Sequence, residues 1–171
     1  MEVSIMSERK YPVITISREF GAGGHSIARV VSERLGIPYY DRDFAKQAAA
    51  RSGYSQEDID REGENLSRSA RLLDNILNNS AGYFSSHDAI YQAQKELILQ
   101  FAAEQDCIII GRCADYVLNG TENLVRLFVY AEIEERINKV REKGYFPEED
   151  ILKNIKRIDR ERRDYYRYYT G

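Results

Sequence analysis

The sequence predicts an α/β domain, a parallel sheet with helices on both faces. Three observations carry that expectation. Short apolar runs such as "CIIIG" (Cys107–Gly111) and "LVRLFVY" (Leu124–Tyr130) have the length and composition of buried strands. Between such runs lie longer segments whose apolar residues recur at helical spacing. The stretch "ITISREFGAGGHSIARVVSERLG" (Ile14–Gly36) begins as a strand, breaks into glycines and resumes as a helix. Strands that alternate with helices need crossover connections, which are right-handed and leave the strands parallel.

In chain order, "PVITIS" (Pro12–Ser17) is the first strand. The helix Gly24–Leu35 follows, with Ile27, Val30, Val31 and Leu35 at helical spacing, and "IPYYD" (Ile37–Asp41) is a second, weaker strand. From Ser52 to His87 the pattern turns polar, with one amphipathic stretch near Leu66–Leu77. Residues 52–87 are therefore expected to form a helical insertion over one edge of the sheet. Asp88–Gln105 is helical by the spacing of Ile90, Ala93, Leu97, Ile98 and Phe101. The two strands already quoted come next, then helices over Glu132–Lys143 and Glu148–Arg163. No repeat or linker divides the chain, so residues 1–171 are expected to form one domain.

Composition narrows the function. At 43% hydrophobic and 31% charged residues, the chain reads as an ordinary globular protein with no apolar run long enough to span a bilayer. "MEVSIMSERKYP" lacks the layout of a secretory signal, which makes the cytoplasm the expected compartment. Cys107 and Cys113 have neither zinc-knuckle nor redox spacing and read as reduced, buried thiols. His25 and His87 are the only histidines and lie far apart, which argues against a histidine metal site or a Ser/His/Asp triad. Net charge is −3, yet Lys153–Arg167 carries seven basic and three acidic residues. A local basic segment on a mildly acidic chain points to a phosphorylated small molecule more than to nucleic acid.

The glycine turn has the form of a phosphate site. Glycines let a loop wrap so that successive N–H groups point inward, and the following helix adds its positive end. Gly21, Gly23 and Gly24 fit this, with Ala22 inside the loop and Ser26 placed to offer a hydroxyl to phosphate or its Mg²⁺. Against the pattern G-x-x-x-x-G-K-[ST], Arg18 takes the first glycine position and Gly24 the lysine position. Arg18 and His25 are candidates to supply part of the missing charge. A purely structural turn stays open as the alternative.

"ITISREFGAGGHSIARVVSERLGIPYYDRDF", "IIIGRCADYVL" and "RIDRERRDYYRYYTG" together resemble the cytidylate kinase-like family of P-loop nucleoside monophosphate kinases. The resemblance implies a P-loop NTPase-type sheet with the first strand central, a helical monophosphate-binding insertion and a lid over residues 144–171. It implies ATP and Mg²⁺ as donor, small-molecule nucleotides as partners, and neither nucleic acid nor membrane. Arg112 matches the arginine that grips the acceptor phosphate, and Asp41 sits where the acceptor site begins. Arg160, Asp164 and Arg167 match the lid pattern, with Arg163 beside them. Spacings of four and three residues put 160, 164 and 167 on one helix face. The chain departs from the family at Gly24, at Cys113 where an Asp is usual, and at Ile110 where an acidic residue is usual. Relatives also continue into another strand and helix beyond the lid, whereas this chain stops at "YYTG".

The resemblance implies ATP-dependent phosphoryl transfer to a nucleoside monophosphate, with CMP or dCMP the first acceptors to try. Two other readings stand beside it. One is a nucleotide-binding or regulatory module of the same fold without transfer. The other is a nucleic-acid binder using "RRDYYRYY" as a basic, stacking platform.

Overall fold

The computed structural model describes residues 11–41 and 86–171. The insertion expected over 52–87, with its helix near Leu66–Leu77, lies largely outside them. Four strands form one parallel sheet: β1 (Val13–Arg18), β2 (Tyr39–Tyr40), β3 (Ile108–Ile110) and β4 (Leu124–Val129), in the order β2-β3-β1-β4. β1 is thus central between β3 and β4, as the resemblance implied. Among the described residues the α-helices are α1 (Gly24–Leu35), α2 (Ser86–Glu104), the short α3 (Ala114–Val117), α4 (Ile133–Glu142) and α5 (Ile151–Thr170).

The alternation of side chains along β1 and β3 sorts the core into two layers. Val13 and Ile109 face α2 and α3, where they pack with Leu97, Ile98, Ala102 and Leu118. Ile14, Ile16, Ile108 and Ile110 point the other way, onto Ala28 of α1 and Ile37. Both faces of a parallel strand must be covered, and that is why these runs read as continuously apolar. A third cluster, Val140, Ile151 and Ile155, joins α4 to α5 and receives Phe20 from the glycine turn.

Local chemistry sets the element ends. α1 stops at Gly36, which takes the left-handed conformation (φ 67°) and donates its N–H to Ser32 O at 2.8 Å. β2 shrinks to two residues because Pro38 has no N–H for the ladder; its carbonyl still accepts from Ile108 N at 2.9 Å. The last helix runs seven residues further than the sequence reading, to Thr170. Its continuation is a tyrosine-rich turn tied back to α2 by the Tyr91–Tyr169 stack at 3.8 Å. Among the described residues, no helix is long and apolar enough to cross a membrane.

Candidate active site

The glycine turn leaves β1 at Arg18 and enters α1 at Gly24. Gly21 (φ 79°) and Gly23 (φ 91°) are both left-handed, a conformation that makes glycine necessary here. Gly23 is the N-cap of α1, makes no side-chain cap, and no acidic residue stands in the first turn. The first N–H groups of the helix therefore lack intrahelical acceptors and carry the positive end of the dipole. Those features fit an anionic phosphate. Ala22 and Gly24 are buried while His25 and Ser26 are exposed. His25 Nδ1 lies 2.5 Å from Asp41 Oδ2, so the turn and the end of β2 are directly linked.

A buried ion-pair cluster holds this turn in place. Arg136 of α4 donates through Nε to Phe20 O (2.8 Å), through Nη1 to Glu19 Oε2 (2.9 Å) and through Nη2 to Asp159 Oδ2. Asp159 of α5 in turn accepts from Phe20 N at 2.8 Å. Arg136 is 5% exposed and Asp159 8%, so each charge relies on the other for solvation lost on burial. The sequence reading missed this cluster. A signal was present: Asp159 continues the Ile151, Ile155 spacing, and Arg136 sits among Ile133, Ile137 and Val140, so both charges occupy apolar helix faces.

A cavity of about 510 Å³ opens beside the turn, at the C-terminal ends of β1 and β3 and beneath α5. Six arginines line it (Arg18, Arg112, Arg126, Arg162, Arg163 and Arg167) against the carboxylates Glu19, Asp115 and Asp159. Two of those three carboxylates are already engaged by Arg136. The floor is the exit of β3, where Gly111 (φ 73°), Arg112 (φ 57°) and Cys113 (φ 54°) are left-handed in succession. Positive φ at two adjacent non-glycine residues is strained, and such strain concentrates at functional sites. The Arg18 guanidinium lies against Gly111, where a Cβ would have to displace it.

α5 supplies the roof. Arg162 donates to Arg18 O at 3.3 Å, and its guanidinium stacks over Phe20 at 5.6 Å. Tyr165 OH donates to Gln94 Oε1 at 3.2 Å, and Tyr166 OH to Asp115 Oδ2 at 2.8 Å. Burial raises the Tyr165 phenol despite the opposing pull of Arg112. Burial, then the hydrogen bond to Asp115 and its charge, push Tyr166 up to about 12. Burial likewise pushes the Cys113 thiol up to about 12, so it stays protonated and is no nucleophile. Both cysteines are buried and free, as the sequence suggested.

The structure brings together part of the expected site. Arg18, Arg112, Arg163 and Arg167 line one cavity. Arg160 is exposed and Asp164 half-buried, and neither lines it. From α5 the cavity takes Asp159, Arg162, Arg163, Tyr165, Tyr166 and Arg167, so two residues of the expected arginine face, Arg163 and Arg167, reach it while Arg160 and Asp164 do not. Gly21–Ser26 adjoin the cavity through Arg18, whose stem packs against Gly24. α5 is not held away from the turn; Asp159 and Arg162 bind it directly.

The chain is similar to known proteins in sequence and in fold. The chain is 23% identical over 160 residues to a cytidylate kinase of Archaeoglobus fulgidus, covering 92% of this chain and 76% of that protein. It superposes on the crystal structure of an uncharacterized protein from Eubacterium ventriosum with a TM-score of 0.63 at 24% identity, covering 92% and 77% of the two chains. A shikimate kinase from Bacteroides thetaiotaomicron follows with a TM-score of 0.53 at 13% identity, covering 92% and 82%. These likenesses identify the fold as that of P-loop kinases. The profile of the cytidylate kinase-like family matches residues 13–171, from the first strand through the arginine-bearing last helix, and the chain belongs to that family.

Proposed function

We propose that the protein transfers the γ-phosphoryl group of Mg·ATP to a nucleoside monophosphate, with CMP or dCMP the first acceptors to test. Family membership supports a nucleotide kinase in general. The observation that carries the specific reading is the arginine-lined cavity set against an uncapped glycine turn at the carboxyl ends of the strands. In this scheme Gly21, Ala22, Gly23, Gly24, His25 and Ser26 hold the donor phosphates through backbone N–H groups and the Ser26 hydroxyl. Arg18 and Arg112 contact anionic oxygens at the cavity floor, with Asp41 at the acceptor side. Arg163 and Arg167 neutralise charge on the transferred group; Asp164 and Arg160 flank them one face away. In this scheme Mg²⁺ arrives with the nucleotide. Phosphoryl transfer needs alignment and charge neutralisation and no covalent nucleophile, consistent with a buried, protonated Cys113. The reduced state of both thiols fits a cytoplasmic setting.

One observation favours the non-catalytic alternative. Ile110 is 2% exposed and packed in the core, at the strand end where an acidic residue could help hold Mg²⁺. A panel of monophosphates incubated with Mg·ATP, read by ADP formation, decides between the two. Turnover with one pyrimidine monophosphate is the expected result; tight nucleotide binding with no turnover on any acceptor leaves a binding module. Gly23→Val tests the donor loop, since a φ of 91° is strained for a β-branched residue. That variant should stay folded by circular dichroism and lose ATP affinity.

A further inference from the structure

We propose that Lys139 of α4 takes the place of the lysine missing from the glycine turn, presenting its ammonium group to the donor's terminal phosphates. The inference rests on the reading of Gly21–Ser26 as the donor loop.

The turn is tight for a side chain where the lysine would stand. A Cβ on Gly24 would lie 3.0 Å from both Cβ and Cγ of Arg18, so the Arg18 stem occupies the space where that side chain would begin. The two basic side chains nearest in sequence are directed elsewhere. Arg18 carries its guanidinium across to Gly111 and the cavity floor, and His25 is paired with Asp41. Without another cation, the loop would meet a triphosphate with backbone dipoles alone.

Lys139 reaches the turn from outside it. Its Nζ stands 3.8 Å from where a Cβ on Gly23 would be, over the N-cap of α1. That approach is fixed by packing. A Cβ on Gly21 would meet Arg136 O and Val140 Cγ2, both at 3.1 Å, so α4 leans on the turn along its 136–140 face. Arg136, one turn earlier, is locked to Glu19, Phe20 and Asp159. The backbone that bears Lys139 is therefore anchored to the same loop that its ammonium group overlooks. Neighbouring cations of α4 are occupied: Arg136 by Glu19 and Asp159, Arg141 by Glu148 at 2.6 Å. Lys139 is exposed and, among the described residues, forms no ion pair, so its charge is available to a ligand. A flexible four-carbon stem carrying a point charge suits a phosphate that shifts during transfer.

Calorimetric titration of Mg·ATP, ADP and AMP into the parent chain, Lys139→Ala, Lys139→Arg, Gly23→Val and Lys143→Ala tests this. Lys143→Ala removes an exposed lysine from the end of the same helix and controls for net charge. Lys139→Ala should weaken Mg·ATP about 10- to 100-fold, the worth of one hydrogen bond between charged groups. It should leave AMP within about twofold, because AMP lacks the outer phosphates. Lys139→Arg should recover most of the loss, and Lys143→Ala should match the parent. Parental ATP affinity in Lys139→Ala, beside a Gly23→Val variant that no longer binds, overturns the role of Lys139 and leaves the loop reading standing. Equal losses of ATP and AMP in Lys139→Ala also overturn it. Parental ATP binding by Gly23→Val would instead remove the donor loop, and the proposed function with it.

Discussion

Arg136 is the residue on which the glycine turn depends, and its place on an apolar helix face is the one mark of it in the sequence. Its three polar contacts tie α4 to Glu19, Phe20 and α5, all in a site with little water. Removing one partner of such a cluster strands the other charge. Arg136→Ala and Asp159→Ala should each cost about 3–5 kcal/mol in urea denaturation. A double replacement by apolar residues of similar volume should cost less than the sum, since no orphaned charge remains. At the cavity, Arg167→Ala should reduce turnover by about 10³ or more, by analogy with arginine fingers, with smaller changes in substrate affinity. Arg167→Lys should fail to rescue, because an ammonium group cannot reproduce the planar two-pronged contact. Single-turnover measurements separate this effect from binding.

Element by element, the sequence was most legible where burial is two-sided. "CIIIG" and "VITIS" are apolar on both faces because helices cover both, and those strands, their parallel direction and α1 follow from pattern alone, while the central place of the first strand came from the family resemblance. The facing of α5 was not legible from charge. Arginines occur all round this helix, so the spacing of 160, 164 and 167 describes a possible face without saying that it points inward. The apolar anchors Ile151 and Ile155 set the rotation and bring Asp159, Arg162, Arg163, Tyr166 and Arg167 to the cavity, leaving Arg160 and Asp164 outside it. The turn after β3 was equally silent, since no composition announces that Arg112 and Cys113 are left-handed. The rotation has a measurable consequence. Arg163→Ala and Arg162→Ala should depress turnover well below Arg160→Ala in the same assay, and Arg162→Ala should also lower the melting temperature through its lost contacts with Arg18 and Phe20.

Across the whole molecule, α2, α3 and α5 meet in a cluster of groups that resist ionisation. Cys113 is raised from 9.0 to about 12, and Tyr91 and Tyr166 from 10.0 to about 12, in each case chiefly by burial. All three are neutral in the folded protein and would ionise more easily unfolded. Stability from this source is complete below pH about 9 and declines as pH rises toward about 12, where the folded groups titrate. Melting temperatures measured from pH 7 to 11 should fall on the alkaline side. Cys113 should meanwhile resist alkylation at pH 8 until denaturant is added.

The meshing of Arg18 with Gly24 and Gly111 also constrains how this loop can change over generations. A lysine placed at position 24 crowds the Arg18 stem, which must give by a few tenths of an ångström at the entrance to α1. Shortening Arg18 first vacates that space but strips a guanidinium from the cavity floor. Each single step is therefore worse than either end point. Interchange with the lysine-bearing form of the loop is epistatic, and the two residue choices should be inherited as a pair.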